Sequence, residues 1–198
     1  MHPVTFKIQY PENLSRGMLL LKAFFGFLYV GIPHGICLFF LGIASAFLLF
    51  VAFWAILFTG KFPRGMFDFI VGVNRWQYRV NAYTIFMTDV YPPFTMQKTD
   101  TDAVEFDIAY PESLSRGTLI LKALLGYFYV IIPHAICLAF IGIGASFVIF
   151  ISFWAILFTG RYPEGMFRFV EGYYRWSARV SAYFWMTDVY PPFTTREV

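Results

Sequence analysis

The sequence predicts an all-α integral membrane protein built from two tandem repeats. Each repeat has a short N-terminal strand, a transmembrane helical hairpin and an interfacial amphipathic helix. Three observations support this prediction. The 198 residues are 59% hydrophobic and only 14% charged, whereas soluble domains are nearer half apolar and a quarter charged. Blocks of sequence recur at a fixed spacing. Each repeat also holds an apolar stretch long enough for two membrane crossings.

The duplication is visible in identical blocks. FWAILFTG occurs at 53–60 and 153–160, and MTDVYPPFT occurs at 87–95 and 186–194. The offset between copies is 100 residues up to about Tyr83 and 99 residues afterwards, so the second copy is one residue shorter. We therefore predict one repeat over residues 1–100 and another over residues 101–198, joined by the polar, acidic segment 96–103.

Each repeat begins with alternating apolar and polar residues. Period-two alternation predicts a strand, here over residues 4–10 and 104–110. Because a lone strand is not stable, we expect these strands to pair with each other or with the YPPFT tails. An ordered extended arm is the alternative.

The long apolar stretch of the first repeat runs from Met18 to Thr59, about twice the roughly 20 residues that one crossing needs. Pro33 removes a backbone donor and disfavours helix at the residue before it. We therefore predict two helices and a tight turn in each repeat, at 15–31 and 34–59, then at 115–131 and 134–159. A single kinked helix is the alternative, and the first helix of each pair is short for a full crossing.

Charge placement predicts the orientation. Arg16 and Lys22 flank the start of the apolar stretch, Lys61 and Arg64 flank its end, and the turn at Pro33 has no Lys or Arg. Under the positive-inside rule, both ends and both chain termini face the cytoplasm. The second repeat shows the same pattern, so each repeat needs an even number of crossings, which a hairpin provides.

The last helix of each repeat, predicted over 64–88 and 164–187, carries arginines on one stripe and apolar residues on another. We expect this helix to lie at the cytoplasmic interface, because arginine at mid-membrane costs roughly 2.5–3.5 kcal/mol. The basic residues on this helix and just before it are candidates for binding anionic lipid headgroups or a protein partner. They are Lys61, Arg64, Arg75, Arg79, Arg161, Arg168, Arg175 and Arg179. The alternative is topology anchoring, with local pairing to Asp68, Glu171 or backbone carbonyls.

A histidine precedes a cysteine by three residues in each apolar stretch. His34, Cys37, His134 and Cys137 could bind zinc if the two repeats bring them together, and two histidines could ligate haem. The pairs lack the close CxxC spacing that makes such a signal specific. Packing or capping is therefore the favoured interpretation, and we predict no cofactor.

The motifs resemble a known family. YPESLSRG, IPH, FWAILFTGRYPEGMF, GYYRWSARV and TDVYPPF are together similar to a family of bacterial membrane proteins described as a domain of unknown function, whose members often carry the unit in tandem. The resemblance covers nearly all of both repeats. It implies duplication and a location in the bacterial inner (cytoplasmic) membrane. It implies no activity, cofactor or catalytic residue.

These features favour a non-enzymatic membrane module: a scaffold or accessory subunit of a membrane complex that binds anionic lipid at the cytoplasmic face. We expect its partners to be membrane lipids and a larger membrane-protein complex or a homo-oligomer. Nucleic acid is not expected, since no basic run or binding motif occurs. One alternative is a small transporter or channel acting as an oligomer. Another is a metal or haem protein using His34 and His134. No nucleophile–base pair is visible, so we predict no enzyme.

Overall fold

The computed structural model describes residues 2–198 and shows two similar repeats. In chain order the elements are β1 (Val4–Ile8), α1 (Arg16–Gly26), a π turn (Phe27–Gly31), α2 (Ile32–Thr59), α3 (Arg64–Thr84), β2 (Val104–Ile108), α4 (Arg116–Gly126), a second π turn (Tyr127–Ile131), α5 (Ile132–Thr159) and α6 (Glu164–Trp185). The segments from Arg16 to Thr59 form one continuous helix, here named the first long helix. The second long helix runs from Arg116 to Thr159.

The two strands pair with each other, which confirms one of the two predicted arrangements. They form an antiparallel ribbon with Phe6 opposite Phe106 and Lys7 opposite Glu105. Opposite charges across such a pair are favourable. Each strand ends two residues before the predicted limit, and the hydroxyl of Tyr10 instead donates to the carbonyl of Tyr162 in the other repeat, at 2.6 Å. The ribbon therefore links the two repeats.

The predicted tight turn at Gly31–His34 is wrong, because the helix continues through it. Gly31 and Ile32 both have right-handed helical backbone angles, and the Ile32 N–H bonds to the Phe27 carbonyl, five residues back. Pro33 cannot donate to the carbonyl of Tyr29. The hydroxyl of Tyr91 donates to that carbonyl at 3.2 Å. A side chain from the end of the repeat thus satisfies the acceptor that proline leaves free.

The long helix is bent, and the second repeat shows this most directly. Lys122 and Ser152 lie 30 positions apart, which is about 45 Å in a straight helix. Their side chains contact Tyr183 and Met166 of α6, which lie 17 positions or about 25 Å apart. A bend of the long helix accounts for the shorter span on α6. Proline and π turns are common causes of such bends, and both occur here.

The helices α3 and α6 lie between the ribbon and the long helices. One side of α3 places Arg75 against the β2 carbonyl of Phe106, at 3.0 Å. The other side places Trp76 against His34 of α2, at 2.9 Å. The prediction that the apolar face of this helix rests on lipid is therefore wrong. That apolar face packs with Val30 and Leu38 of the first long helix, because a larger apolar surface within the protein is available to it.

The repeats also join at two corners, where the start of one long helix meets the end of the other. The N–H of Leu14 donates to Gly160 at 2.8 Å, and the N–H of Leu114 donates to Gly60 at 2.8 Å. Both glycines have the positive φ of a helix C-terminal cap. Arg16 donates to the carbonyl of Phe158 at 2.9 Å, which favourably places a cation at the negative end of α5.

Candidate functional site

Two of the predicted lipid-binding arginines bond to the edges of the ribbon. The guanidinium of Arg75 donates to Phe106 of β2 at 3.0 Å and to the Met96 carbonyl at 2.8 Å. Its counterpart Arg175 donates to Phe6 of β1 at 3.0 Å and to the Thr195 carbonyl at 3.0 Å. In a two-stranded ribbon the outward carbonyls have no neighbouring strand. The two arginines take the place of that strand.

The next arginine of each stripe bonds to the end of its own repeat. Arg79 donates to the carbonyls of Thr95 and Gln97 and pairs with the carboxylate of Asp102. Arg179 donates to the carbonyl of Arg196 at 2.9 Å. The residue equivalent to Asp102 is His2, at the start of the first repeat, so Arg179 lacks the carboxylate that Arg79 has. Burial lowers the pKa of the Arg179 guanidinium.

The eight predicted basic residues therefore divide into two groups. Arg75, Arg79, Arg175 and Arg179 are buried and bond to protein carbonyls. This matches the alternative of local pairing to backbone carbonyls and carboxylates. Lys61, Arg64, Arg161 and Arg168 are exposed. Headgroup binding stays a prediction for this second group.

The exposed group lies at the two corners, close to Arg16 and to its counterpart Arg116, which donates to the carbonyl of Phe58 at 2.9 Å. Arg161 donates to the side-chain oxygen of Asn13 at 3.4 Å. Asn13 lies three residues before Arg16. Arg168 pairs with Glu171 at 3.2 Å and with Glu164 at 3.6 Å. At the other corner the guanidinium of Arg64 lies 4.5 Å from the centre of the Tyr110 ring. Each corner thus carries three basic side chains from both repeats: Arg16, Arg161 and Arg168 at one, and Arg116, Lys61 and Arg64 at the other.

His34 is held in a chain of hydrogen bonds. The indole N–H of Trp76 donates to His34 Nδ1 at 2.9 Å, and His34 Nε2 lies 3.1 Å from the hydroxyl of Tyr91. Because Nδ1 accepts, a neutral ring carries its proton on Nε2 and donates it to Tyr91. Tyr91 then donates to Tyr29, and the ring of Phe94 stacks on the imidazole at 3.9 Å. Both ring nitrogens are used within the protein.

The second repeat has the same arrangement with one bond fewer. Trp176 donates to His134 Nδ1 at 3.0 Å, and Phe193 stacks at 3.9 Å. His134 Nε2 is buried without a partner. Cys37 and Cys137 are free thiols that pack in separate clusters, each within its own repeat. Among residues 2–198, no group of three or more His, Cys, Asp or Glu side chains is placed to hold a metal ion.

The TDVYPPF motif ties the end of each repeat to the start of its long helix, a role that sequence reasoning missed. The carboxylate of Asp89 accepts from the backbone N–H of Ser15 at 2.7 Å and from Lys22 at 2.6 Å. Lys22 also donates to the carbonyl of Thr88. Asp188 makes the equivalent bonds to Ser115 and Lys122. The signal was present, because LSRG and TDVYPPF recur together in both repeats.

A polar groove of about 720 Å³ follows the outer edge of β2. Its charges are already paired: Arg64 with Asp68, and both Arg75 and Lys98 with Asp107. The lining contains no serine, cysteine or histidine. The groove therefore offers paired charges and a strand edge.

No match is found among curated proteins or among solved structures. A family model described as "Domain of unknown function (DUF4389)" matches residues 21–96 and again residues 122–195. Both segments contain the apolar helix, the arginine stripe and the TDVYPPF motif. The chain therefore belongs to this family and carries its domain twice, in tandem.

Proposed function

We propose that the protein is a non-enzymatic membrane module, a scaffold or accessory subunit held in lipid by its two long helices. The observation that carries this proposal is the exposed apolar face of both helices. In the most apolar 18-residue stretch of each, only 6% and 11% of residues are buried. A core helix of a soluble protein would be mostly buried, and an apolar face of this extent needs a non-aqueous partner. Its large side chains include Phe39, Phe40, Phe47, Phe50, Phe58, Phe140, Phe147, Phe150 and Phe158.

The bend suggests how each long helix meets the membrane. A helix of 44 residues would be about 66 Å long if straight, more than twice the roughly 30 Å of bilayer hydrocarbon. Arg16 and Lys61 at its two ends favour the same, cytoplasmic side. We therefore place the bend inside the bilayer and both ends at the cytoplasmic surface. Trp54 and Trp154 are partly exposed near the helix ends, which suits interface depth.

The proposed absence of catalysis rests on how the motif residues are used. Asp89 caps the long helix and pairs with Lys22, while His34 bonds to Trp76 and Tyr91. These polar groups recur in both repeats, and their bonds hold the repeat together. A general base or nucleophile would instead be directed toward a substrate site.

Membrane fractionation tests the location. We expect the expressed protein to remain in the membrane pellet after an alkaline carbonate wash. The pair Phe40→Asp and Phe140→Asp, in the middle of the exposed apolar face, should move protein into the wash. Gln97→Asp, an exposed polar position, is the matched control and should stay in the pellet. Wild-type protein that is monomeric and soluble without detergent would refute the proposal.

Lipid preference tests the basic corners. Phosphatidylglycerol should raise the melting temperature of the protein in detergent more than phosphatidylcholine does, because the corners carry exposed cations. Replacing Lys61 and Arg161 with Gln should remove most of that difference. Lys7→Gln removes an exposed charge on the ribbon and should leave the difference intact. Equal stabilisation by both lipids in the wild type would rule out headgroup recognition there.

A further inference from the structure

A groove runs along α2 between the two repeats, and we name it the inter-repeat groove. It consists of two adjoining cavities of about 290 and 90 Å³ that share Leu49 and Trp185. The larger cavity begins at Gly42 and the smaller one ends at Ile56. These residues are 14 positions apart, or about 21 Å along a helix. The groove is therefore longer than half of the roughly 30 Å hydrocarbon thickness.

The same place in the second repeat is filled by a side chain. A Cβ built on Gly142 would lie 3.3 Å from the ring of Tyr173, whereas a Cβ on Gly42 would meet nothing within 4 Å. The residue of the first repeat at the position of Tyr173 is Val73, which is too short to cover Gly42. The groove is thus specific to one repeat, and its counterpart shows that an apolar group fits against this face of the helix.

The groove is mainly apolar and has polar groups in both cavities. Ser45, Asn74 and Ser181 line the larger cavity, and the Ser45 hydroxyl oxygen is buried without a partner. The smaller cavity is lined by hydrocarbon groups and by Lys122, whose ammonium bonds to the carbonyls of Tyr183 and Thr187. The groove opens at Gly42, which is exposed beside the apolar face of the long helix. Such a groove suits an apolar chain that enters from the membrane.

We infer that the inter-repeat groove holds one acyl chain of a membrane phospholipid. The hydrocarbon lies along α2 between Gly42 and Ile56. Its ester end lies toward Ile56, because that end of α2 is the one placed at the cytoplasmic surface. This inference rests on the proposed membrane location, since that location supplies the lipid. Because Tyr173 closes the counterpart, each protein holds one such chain.

Photo-crosslinking tests the inference. The probe is a phosphatidylethanolamine with a diazirine in one acyl chain, in vesicles of phosphatidylethanolamine and phosphatidylglycerol that contain the whole protein. We expect labelled peptides of α2 between Gly42 and Ile56 at several times the level of the equivalent peptides of α5. Gly42→Leu fills the groove without a clash at its Cβ and should reduce the α2 label at least fivefold. Val73→Tyr should do the same by introducing the ring of the second repeat.

Tyr173→Val is the matched control, because it opens the closed counterpart. It should raise the label on α5 while leaving that on α2 unchanged. Equal labelling of α2 and α5 in the wild type, unaffected by Gly42→Leu and Val73→Tyr, would overturn the groove while leaving the membrane location standing. Wild-type protein released by the carbonate wash would overturn the location itself, so the two failures are distinguishable.

Discussion

Both repeats place a carboxylate at the same point of the ribbon, but a helix supplies it in the second repeat and a strand supplies it in the first. In the second repeat, Glu171 of α6 accepts from the Ile8 N–H at 2.8 Å and pairs with Arg175 at 3.3 Å. The equivalent helix position in the first repeat is Val71. There Asp107 of β2 accepts from the Ile108 N–H at 3.0 Å and pairs with Arg75 at 3.3 Å. Each arrangement neutralises the arginine and satisfies one outward strand N–H.

This difference teaches that the fold requires a carboxylate at a point in space and does not require it at a sequence position. The two solutions differ in burial, because the Glu171 side chain is 2% exposed and that of Asp107 is 40% exposed. Buried charges cost much when they lose their partner, whereas water compensates exposed ones. The repeats should therefore respond unequally to the same kind of substitution.

The largest expected effect is the loss of the buried carboxylate. Glu171→Val gives the second repeat the residue of the first and leaves Arg175 without its buried partner. We expect a loss of about 3 kcal/mol in the free energy of unfolding. Asp107→Asn should cost less than about 1 kcal/mol, because solvent reaches that site. Thermal unfolding of both variants in the same detergent measures the difference, and equal losses would contradict the role assigned to burial.

A transplant sharpens the comparison further. Adding Lys7→Asp and Glu197→Lys to Glu171→Val rebuilds the arrangement of Asp107 and Lys98 in the second repeat. We expect it to recover about half of the lost stability, or about 1.5 kcal/mol. Recovery is partial because residue 7 lies opposite Glu105 in the ribbon, and like charges there repel. Glu197→Lys with Glu171→Val, but without Lys7→Asp, is the control and should recover nothing.

The histidines offer a second unequal pair. His34→Phe leaves the indole N–H of Trp76 and the hydroxyl of Tyr91 without their imidazole partner. His134→Phe leaves only the indole N–H of Trp176, because His134 Nε2 has no partner. We expect losses of about 2 and about 1 kcal/mol, since a buried indole N–H without its acceptor costs about 1–3 kcal/mol and the further hydrogen bond between His34 and Tyr91 contributes about 0.5–1.5 kcal/mol. Comparing the two melting temperatures checks this order, and a larger loss for His134→Phe would reverse the interpretation.

The sequence predicts the features that local patterns determine. The duplication follows from blocks that recur about 100 residues apart, and the strands and the helix with the arginine stripe follow from short periodicities. The continuous helix at Pro33 does not, because the hydroxyl that satisfies Tyr29 comes from Tyr91, 62 residues away. The burial of Arg75 could not be predicted either. A polar helix face looks the same in sequence whether it meets water or the edge of a strand.

The smallest expected effect concerns the residue that faces the last arginine of each stripe. Arg79 faces Asp102, whereas Arg179 faces His2, whose pKa is lowered to about 4 by burial and by the charge of Arg179. Because the unfolded pKa is 6.5, the folded state resists protonation. This contribution is present above pH 6.5 and is lost as the pH falls toward 4. We expect a change of less than about 1 kcal/mol in the free energy of unfolding, because the site is partly open to solvent.

His2→Asn removes the titrating group, and the melting temperature of this variant should fall less between pH 7 and pH 5 than that of the wild type. His2→Asp supplies the carboxylate that Arg79 already has and should raise the melting temperature at pH 7. If Asn and His gave the same pH profile, His2 would have no part in acid sensitivity, and the difference between the arginine sites would rest on Asp102 alone.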